Sequence, residues 1–478
     1  MSTWMIILIF YNIFVIFYFI SINGFYLLLV LISFGGLRSQ KHIEKATDRH
    51  QPFRSEFYKP LAIIIPAYNE ESTIAETTYS ALALRYPEYE IILVNDGSRD
   101  NTLGVLKEHF NLEEYARDYN LDIPCSTIRS TYRSRDYPNL LVVDKDNGGK
   151  SDALNAGINV SQFPLFCNID SDSLIDTDSL LKIVDLFVKD WRIVAAGGTI
   201  TAANHCRIED GKVTEVNLSP KFWVRFQIVE YLRAFLFGRA GWSSIGGVMI
   251  LSGAFSVFRR RAVVETGGYR VDTVGEDMEL VLRVKRTLQK NNRQYRVVFL
   301  SDPVCWTQVP ETYRSLKTQR RRWQRGLAES LFGNLEIFLN PQYGTTGMIS
   351  YPFFIFYEFL GPVIEITGYL VFIFSVFVGI INPPFAILFF TAAILLGILL
   401  STSALFMEEL YYRRYPRLRD IITLFGFAIM ENLFYRQLHT WWRFLGLIDF
   451  FFKKRNWGVL ERRSFTGTAK QSEKETAS

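Results

Sequence analysis

A few short stretches gather acidic, basic and aromatic side chains where they could act on a charged, oxygen-rich substrate. "CNIDSDS" sets Asp170 and Asp172 in D-x-D spacing directly after an apolar run. Read as an extended segment, positions i and i+2 point the same way. The two carboxylates then converge on one hard divalent cation, Mg2+ or Mn2+, which would bridge a diphosphate while keeping several waters. "PAYNE" (Pro66 to Glu70) and "NDGS" (Asn95 to Ser98) each close an apolar run. Tyr68 could stack on a base, and Asp96 could accept a hydrogen bond from an imide or a ribose; plain strand-end turns account for the same residues. "VGEDMEL" places Glu276 and Asp277 at the start of an amphipathic helix, where acidic groups also complement the helix dipole. "QRRRW" (Gln319 to Trp323) combines an indole face for sugar C–H groups with amide and guanidinium donors for hydroxyls and phosphates. A basic helix lying against lipid headgroups would read the same way. "GGKS" at Gly148 mimics the end of a phosphate-binding P-loop, but position 144 is Asp144, not glycine, so it carries no ATPase signal.

The elements that must carry these residues follow from periodicity. "LAIIIPAYNE", "EIILVNDGS", "LLVVDKDNGG" and "FPLFCNIDSD" are strand-like runs ending in polar tips, and "ESTIAETTYSALAL" between the first two has helical spacing. Strands alternating with helices predict a mostly parallel α/β sheet, whose ligands bind beyond the carboxyl ends of the strands. The stretch "CSTIRSTYRSRDYP" reads as a solvated loop or a basic contact for phosphate or a partner.

Composition frames that domain. Hydrophobic residues are 49% of the 478, aromatics 15%, yet charged residues are still 21%. The blend predicts a globular domain spliced between membrane segments, and a net charge of +5 is no nucleic-acid signature. Four scattered cysteines with no C-x-x-C pair give neither a zinc site nor a disulfide framework. Trp4 to Phe34 is long enough to cross a bilayer and lacks the features of a signal peptide. Basic residues after it place that side in the cytoplasm. Tyr351 to Ile381 and Phe385 to Phe406 are further apolar blocks joined by "NPP". Ile421 to Phe452 is interrupted by "ENLFYRQLHTWWR" and is expected to be re-entrant or interfacial. Glu358, Glu365, Arg436 and His439 are channel or interface candidates, or else sit at headgroup level. The expected divisions are a transmembrane segment 1–35, a cytoplasmic linker 36–57, a catalytic domain 58–340, interfacial and transmembrane helices 341–455, and a polar, disordered tail 456–478 with no further regulatory domain.

Taken in order, these motifs resemble the processive membrane synthases of glycosyltransferase family 2, which make cellulose, hyaluronan and poly-N-acetylglucosamine. The resemblance covers Leu61 to Gly326 by motif and the flanking membrane segments by pattern. It implies a GT-A fold inserted between transmembrane α-helices in the bacterial cytoplasmic membrane, with the catalytic domain cytoplasmic. It implies that Tyr68, Glu70 and Asp96 contact the nucleotide sugar and that Asp170 lies near the ribose or diphosphate. Asp172 would bind the metal, and Asp277, beside Glu276, would be the general base. Gln319, Arg322 and Trp323 would hold the diphosphate and the acceptor end. "GGKSDALNAG" resembles the family's K-x-x-A-L-N segment, directing Lys150 to the diphosphate, and "LSGAFSVFRR" resembles its acceptor-side loop around Ser252 and Gly253. "GED" departs from the usual "TED" while keeping both carboxylates.

The activity so implied is inverting hexosyl transfer from a UDP-sugar, with UDP-N-acetylglucosamine the first candidate. The partners implied are the growing polysaccharide, the lipid bilayer and a small membrane or export subunit, with no nucleic acid. Transfer of a single sugar to a lipid carrier, or a non-catalytic scaffold or export role, are the competing readings.

Overall fold

The structure is a computed structural model that describes residues 3–46, 58–209 and 211–452. The expected tail 456–478 and residues 47–57 of the expected linker 36–57 lie outside the described residues, while 36–46 continue the helix Thr3–Ala46. In chain order the strands are β1 (Leu61–Ala67), β2 (Tyr89–Asn95), β3 (Leu112–Glu114), β4 (Ile128–Ser134), β5 (Leu140–Lys145), β6 (Leu165–Ile169), β7 (Ser173–Ile175), β8 (Ile193–Ala202), β9 (Arg207–Glu209), β10 (Lys212–Glu215), β11 (Phe255–Arg259) and β12 (Arg296–Thr307). All but β9 and β10 join one ten-stranded sheet in the order β3-β4-β5-β2-β1-β6-β11-β8-β12-β7.

The four strands predicted from apolar runs, β5, β2, β1 and β6, sit side by side and parallel at its centre. Every residue of β1, β5 and β6 is buried, as expected for strands covered on both faces. The sheet as a whole is mixed, which corrects the expectation of a mostly parallel one. Antiparallel β11 is inserted between β6 and β8, and β3, β4 and β7 pair antiparallel with their neighbours. The stretch read as a solvated loop is β4. Arg129 there donates to Asp144 at 3.2 Å and to the Lys145 carbonyl at 2.7 Å, and Arg135 pairs with Glu113 at 2.6 Å.

Two described helices are long and apolar enough to cross a membrane, Thr3–Gly36 and Pro383–Tyr411. The pair Thr346–Phe359 and Gly361–Phe377 would make another span bent by 44°. Arg436–Phe451 falls outside these spans and packs along the helix Tyr313–Phe332. A Cβ at Gly446 would stand 2.6 Å from the Arg321 carbonyl oxygen, so the two backbones approach closely there.

Candidate active site

The site forms at the carboxyl ends of the central strands. After β2 the chain turns at Gly97 with φ of +65°, a conformation glycine adopts without steric cost. The preceding Asp96 is buried, and its carboxylate accepts from Lys145 Nζ at 2.6 Å, Asn147 Nδ2 at 3.0 Å and the Gly148 and Gly149 amides at 3.0 and 2.8 Å. Its oxygens are thus engaged within the protein, where they shape the turn that starts the helix Lys150–Val160. Gly157 on that helix lets it lie against β1, since a Cβ there would meet Ile64 at 2.4 Å.

Lys150, the first residue of this helix, is where the motifs meet. Its Nζ donates to Asp170 Oδ1 and lies 3.6 Å from Glu276 Oε1. A Cβ built on Gly253 would stand 3.1 Å from the same nitrogen. Burial disfavours the charge of Lys150, but Asp170 and Glu276 outweigh it and hold the ammonium above the ordinary lysine range. The Gly253 loop is tied to β6 by Asn168, which donates to the Gly253 carbonyl at 3.0 Å and accepts from Ser256 at 2.6 Å. Ser252 stays local, accepting from the Ala254 amide at 3.3 Å.

The D-x-D pair is not extended. Asp170 to Ser173 form a turn in which the Ser173 amide donates to the Asp170 carbonyl at 3.1 Å, so alternation along a strand does not aim the carboxylates. Glu70 holds the turn instead: buried, it accepts from Ser171 Oγ at 2.9 Å and from Thr73 at 3.0 Å. Tyr68 is exposed beside it. Burial and the neighbouring Asp170 push Asp172 up to about 7, while Lys150 and Arg322 pull it back. Arg322 of "QRRRW" is thus among the charges that favour the ionised form of Asp172. Among the described residues no three His, Cys, Asp or Glu side chains gather around a common point. Two mutually repelling carboxylates nonetheless fit a hard cation that takes its remaining oxygens from a diphosphate and water.

Glu276 and Asp277 open the helix Glu276–Lys290 after Gly275. Burial and the adjacent Glu276 push Asp277 up to about 6, with Lys150 and Arg239 acting in the opposite sense. The helix Tyr313–Phe332, which carries Gln319, Arg322 and Trp323, touches this helix start through bare backbone. A Cβ on Gly275 would be 2.6 Å from the Gly326 carbonyl oxygen, and one on Gly326 would be 2.8 Å from the Gly275 Cα. Trp323 is exposed over 43% of its surface, with the Arg320 guanidinium 4.2 Å from its ring centre. Gln319 accepts from Arg320 at 2.9 Å.

Sequence reasoning passed over Arg320. It is buried and pairs with Glu230 at 2.7 Å; Glu230 also accepts from Tyr435 at 2.9 Å, with His439 at 3.9 Å. Glu358 pairs with Arg443 at 2.8 Å and accepts from Tyr26, while Glu365 accepts from Thr440 at 2.9 Å with Arg436 at 3.7 Å. These two acids thus bind helices to one another. Asn168, Lys145, Glu230 and Arg239 were also missed, and the signal available was charge or amide within an apolar run, as in "FQIVEYLRAFLFGR".

The central parallel strands, the D-x-D turn and the carboxylate-led helix are those of a GT-A-like glycosyltransferase. The profile of Glycosyl transferase family 2 matches residues 62–267 and that of Glycosyl transferase family group 2 matches 165–407. The chain belongs to the family 2 glycosyltransferases. It is similar to the poly-beta-1,6-N-acetyl-D-glucosamine synthase of Staphylococcus aureus, 28% identical over 272 residues, which is 57% of this chain and 55% of the relative. The synthase of that name from Staphylococcus epidermidis is 27% identical over 271 residues, with the same coverages. The match thus spans about half the length of these curated relatives. A mannosyltransferase from Pyrobaculum calidifontis, solved with GDP-Man and Mn2+, aligns with 86% of this chain and 99% of its own at 17% identity and a TM-score of 0.49.

Proposed function

We propose that this chain polymerises a β-linked polysaccharide from a UDP-sugar, with UDP-N-acetylglucosamine the first candidate donor, and passes the product across the bacterial cytoplasmic membrane. Residues 58–340 would be the cytoplasmic catalytic unit and 341–455 the helices along which the chain leaves. The observation that carries the reading is the convergence on Lys150, where the D-x-D turn, the "GED" helix start and the Gly253 loop meet around one ammonium. The similarity to poly-beta-1,6-N-acetyl-D-glucosamine synthases supports the choice of sugar.

Transfer would proceed by a single inverting displacement. Asp277 removes the proton from an acceptor hydroxyl, which attacks the anomeric carbon from the face opposite UDP. Lys150 lies where charge builds on the departing diphosphate, and a fixed cation there stabilises the transition state. Asp172, with Asp170, would hold Mg2+ or Mn2+, which supplies further neutralisation of the diphosphate when bound. Tyr68 offers its exposed ring to the base, while Asp96 keeps the Gly148–Gly149 turn in the shape that aims Lys150. Trp323 and Gln319 receive the acceptor end.

Incubating the purified protein with a panel of UDP-sugars and Mg2+ or Mn2+ tests this. Polymer from one UDP-sugar is the expected result. A glycolipid product, or no transfer from any donor, would overturn it.

A further inference from the structure

The base and the leaving-group cation stand on different helices, Asp277 on Glu276–Lys290 and Lys150 on Lys150–Val160. At the site itself the two helices meet through Lys150 Nζ and Glu276 Oε1, 3.6 Å apart. The proposed function gives that same ammonium to the diphosphate, so an arriving nucleotide sugar competes with Glu276 for it. A link between the helices that survives the competition has to lie away from the ammonium.

Such a link is made behind the site. Residues 267–275 form neither helix nor strand and lead directly into Glu276. Asn155, buried on the Lys150 helix, holds both backbone groups of Tyr269: its Nδ2 donates to the carbonyl at 2.9 Å and its Oδ1 accepts from the amide at 2.7 Å. The carbonyl before it, of Gly268, accepts from Nη2 of Arg283 at 2.6 Å, and Arg283 belongs to the Asp277 helix. Two adjacent residues thus tie the two helices together. Gly268 has φ of +73°, and a Cβ there would stand 2.3 Å from Ile123 Cγ2 and 2.6 Å from Asn155 Oδ1, so the turn calls for glycine. Further along, the Thr273 hydroxyl and the Val274 amide each donate to Glu329 at 2.9 Å, on the helix that carries Arg322 and Trp323.

We infer that Asn155 is a positioning residue for transfer, keeping the Asp277 helix in place against the Lys150 helix while the ammonium exchanges Glu276 for the diphosphate. A primary amide suits this task because it offers a donor and an acceptor side by side and carries no charge for the nucleotide to disturb. The helix beneath it is buried at every position after Lys150, which leaves the clamp little room to shift. Asn159, on the same helix face, makes an equivalent clamp on Ile123, donating to its carbonyl at 2.7 Å and accepting from its amide at 3.0 Å. The two asparagines differ in what they hold, since the segment held by Asn155 is the one that runs into Glu276 and Asp277. This inference deepens the proposed function and rests on it.

The test compares Asn155→Ala, Asn155→Asp and Asn159→Ala in the full-length protein, with UDP-N-acetylglucosamine and Mn2+, reading polymer-coupled UDP release, UDP affinity and Tm. Wild-type turnover comes first; its absence would overturn the proposed function before any variant is made. Each alanine variant loses a pair of buried hydrogen bonds, so Tm should fall by similar amounts in both. In Asn155→Ala kcat should fall about ten- to a hundredfold, as for reacting groups displaced by ~1 Å, with UDP affinity unchanged. In Asn159→Ala kcat should stay at the wild-type value. Asn155→Asp keeps the volume and the acceptor but turns a second oxygen on the Tyr269 carbonyl, and should show the same loss of kcat with UDP affinity retained. Wild-type kcat in Asn155→Ala, an equal loss of kcat in Asn159→Ala, or loss of UDP binding in step with kcat overturns the assignment. So does failure of both Asn155 variants to fold, which would make the clamp a part of the fold alone.

Discussion

The strand-end half of the site and its helical half are assembled differently. Around Asp96, Lys145, Lys150 and Asp170, opposite charges are matched by groups at the carboxyl ends of β2, β5 and β6, strands of one sheet, and at the start of the helix that follows β5. Around Glu230, Arg320 and Trp323 the matching groups come from helices far apart in the chain, Phe222–Leu232, Tyr313–Phe332, Glu431–Tyr435 and Arg436–Phe451. A half built from one sheet is rigid before any ligand arrives, whereas a half built from docked helices depends on the whole assembly. The first should respond to substitution through the nucleotide and the second through the acceptor.

Asp277 stands between the halves, and Asp277→Asn should produce the largest effect. Transfer should fall by about 10²–10⁴-fold, the usual loss of a general base, while UDP-sugar affinity persists. Polymer yield and donor affinity measured on one preparation decide it. If synthesis stays near the wild-type rate, Glu276 becomes the candidate.

Asp172→Asn sharpens the strand-end side of the comparison. Apparent metal affinity in UDP binding should drop by at least about 10–100-fold, the range found even for groups that merely support metal ligands. Calorimetric titration of UDP with and without Mn2+ gives the answer, and unchanged metal dependence would remove Asp172 from that role.

Acidity tests the base itself. Burial and Glu276 push Asp277 up to about 6, and a base must be ionised to work. The rate should therefore be level above about pH 6 and fall about tenfold for each unit below it. A limb near the ordinary carboxylate value of ~4 would show that another group is titrating.

Trp323→Ala should have the smallest effect and bears on the helical half alone. Losing the indole should slow elongation about two- to tenfold, equivalent to ~0.5–1.5 kcal/mol of aromatic contact, with UDP affinity unchanged. Normal elongation with impaired UDP binding would reverse the division between the halves.

The same contrast explains what the sequence reveals. Asp170, Asp172, Glu276 and Asp277 stand out because strand ends and helix starts leave short polar marks after apolar runs. β11 does not stand out: "FSVFR" is as apolar as a parallel strand, and its direction depends on where the chain re-enters the sheet. The D-x-D turn is equally hidden, because the Glu70–Ser171 contact that holds it joins residues 101 positions apart. Glu230 lies in a segment whose apolar neighbours read as core, and its partners Arg320 and Tyr435 come from other helices.

Gly275 and Gly326 leave no side chain between the start of the Asp277 helix and the Trp323 helix. Contact of backbone on backbone has no rotamer to relax, so the two helices are held at one separation there. If the chain polymerises a sugar as proposed, an advance of the product by one unit would then have to come from the sugar chain or from other segments and not from a change in the spacing of these two helices.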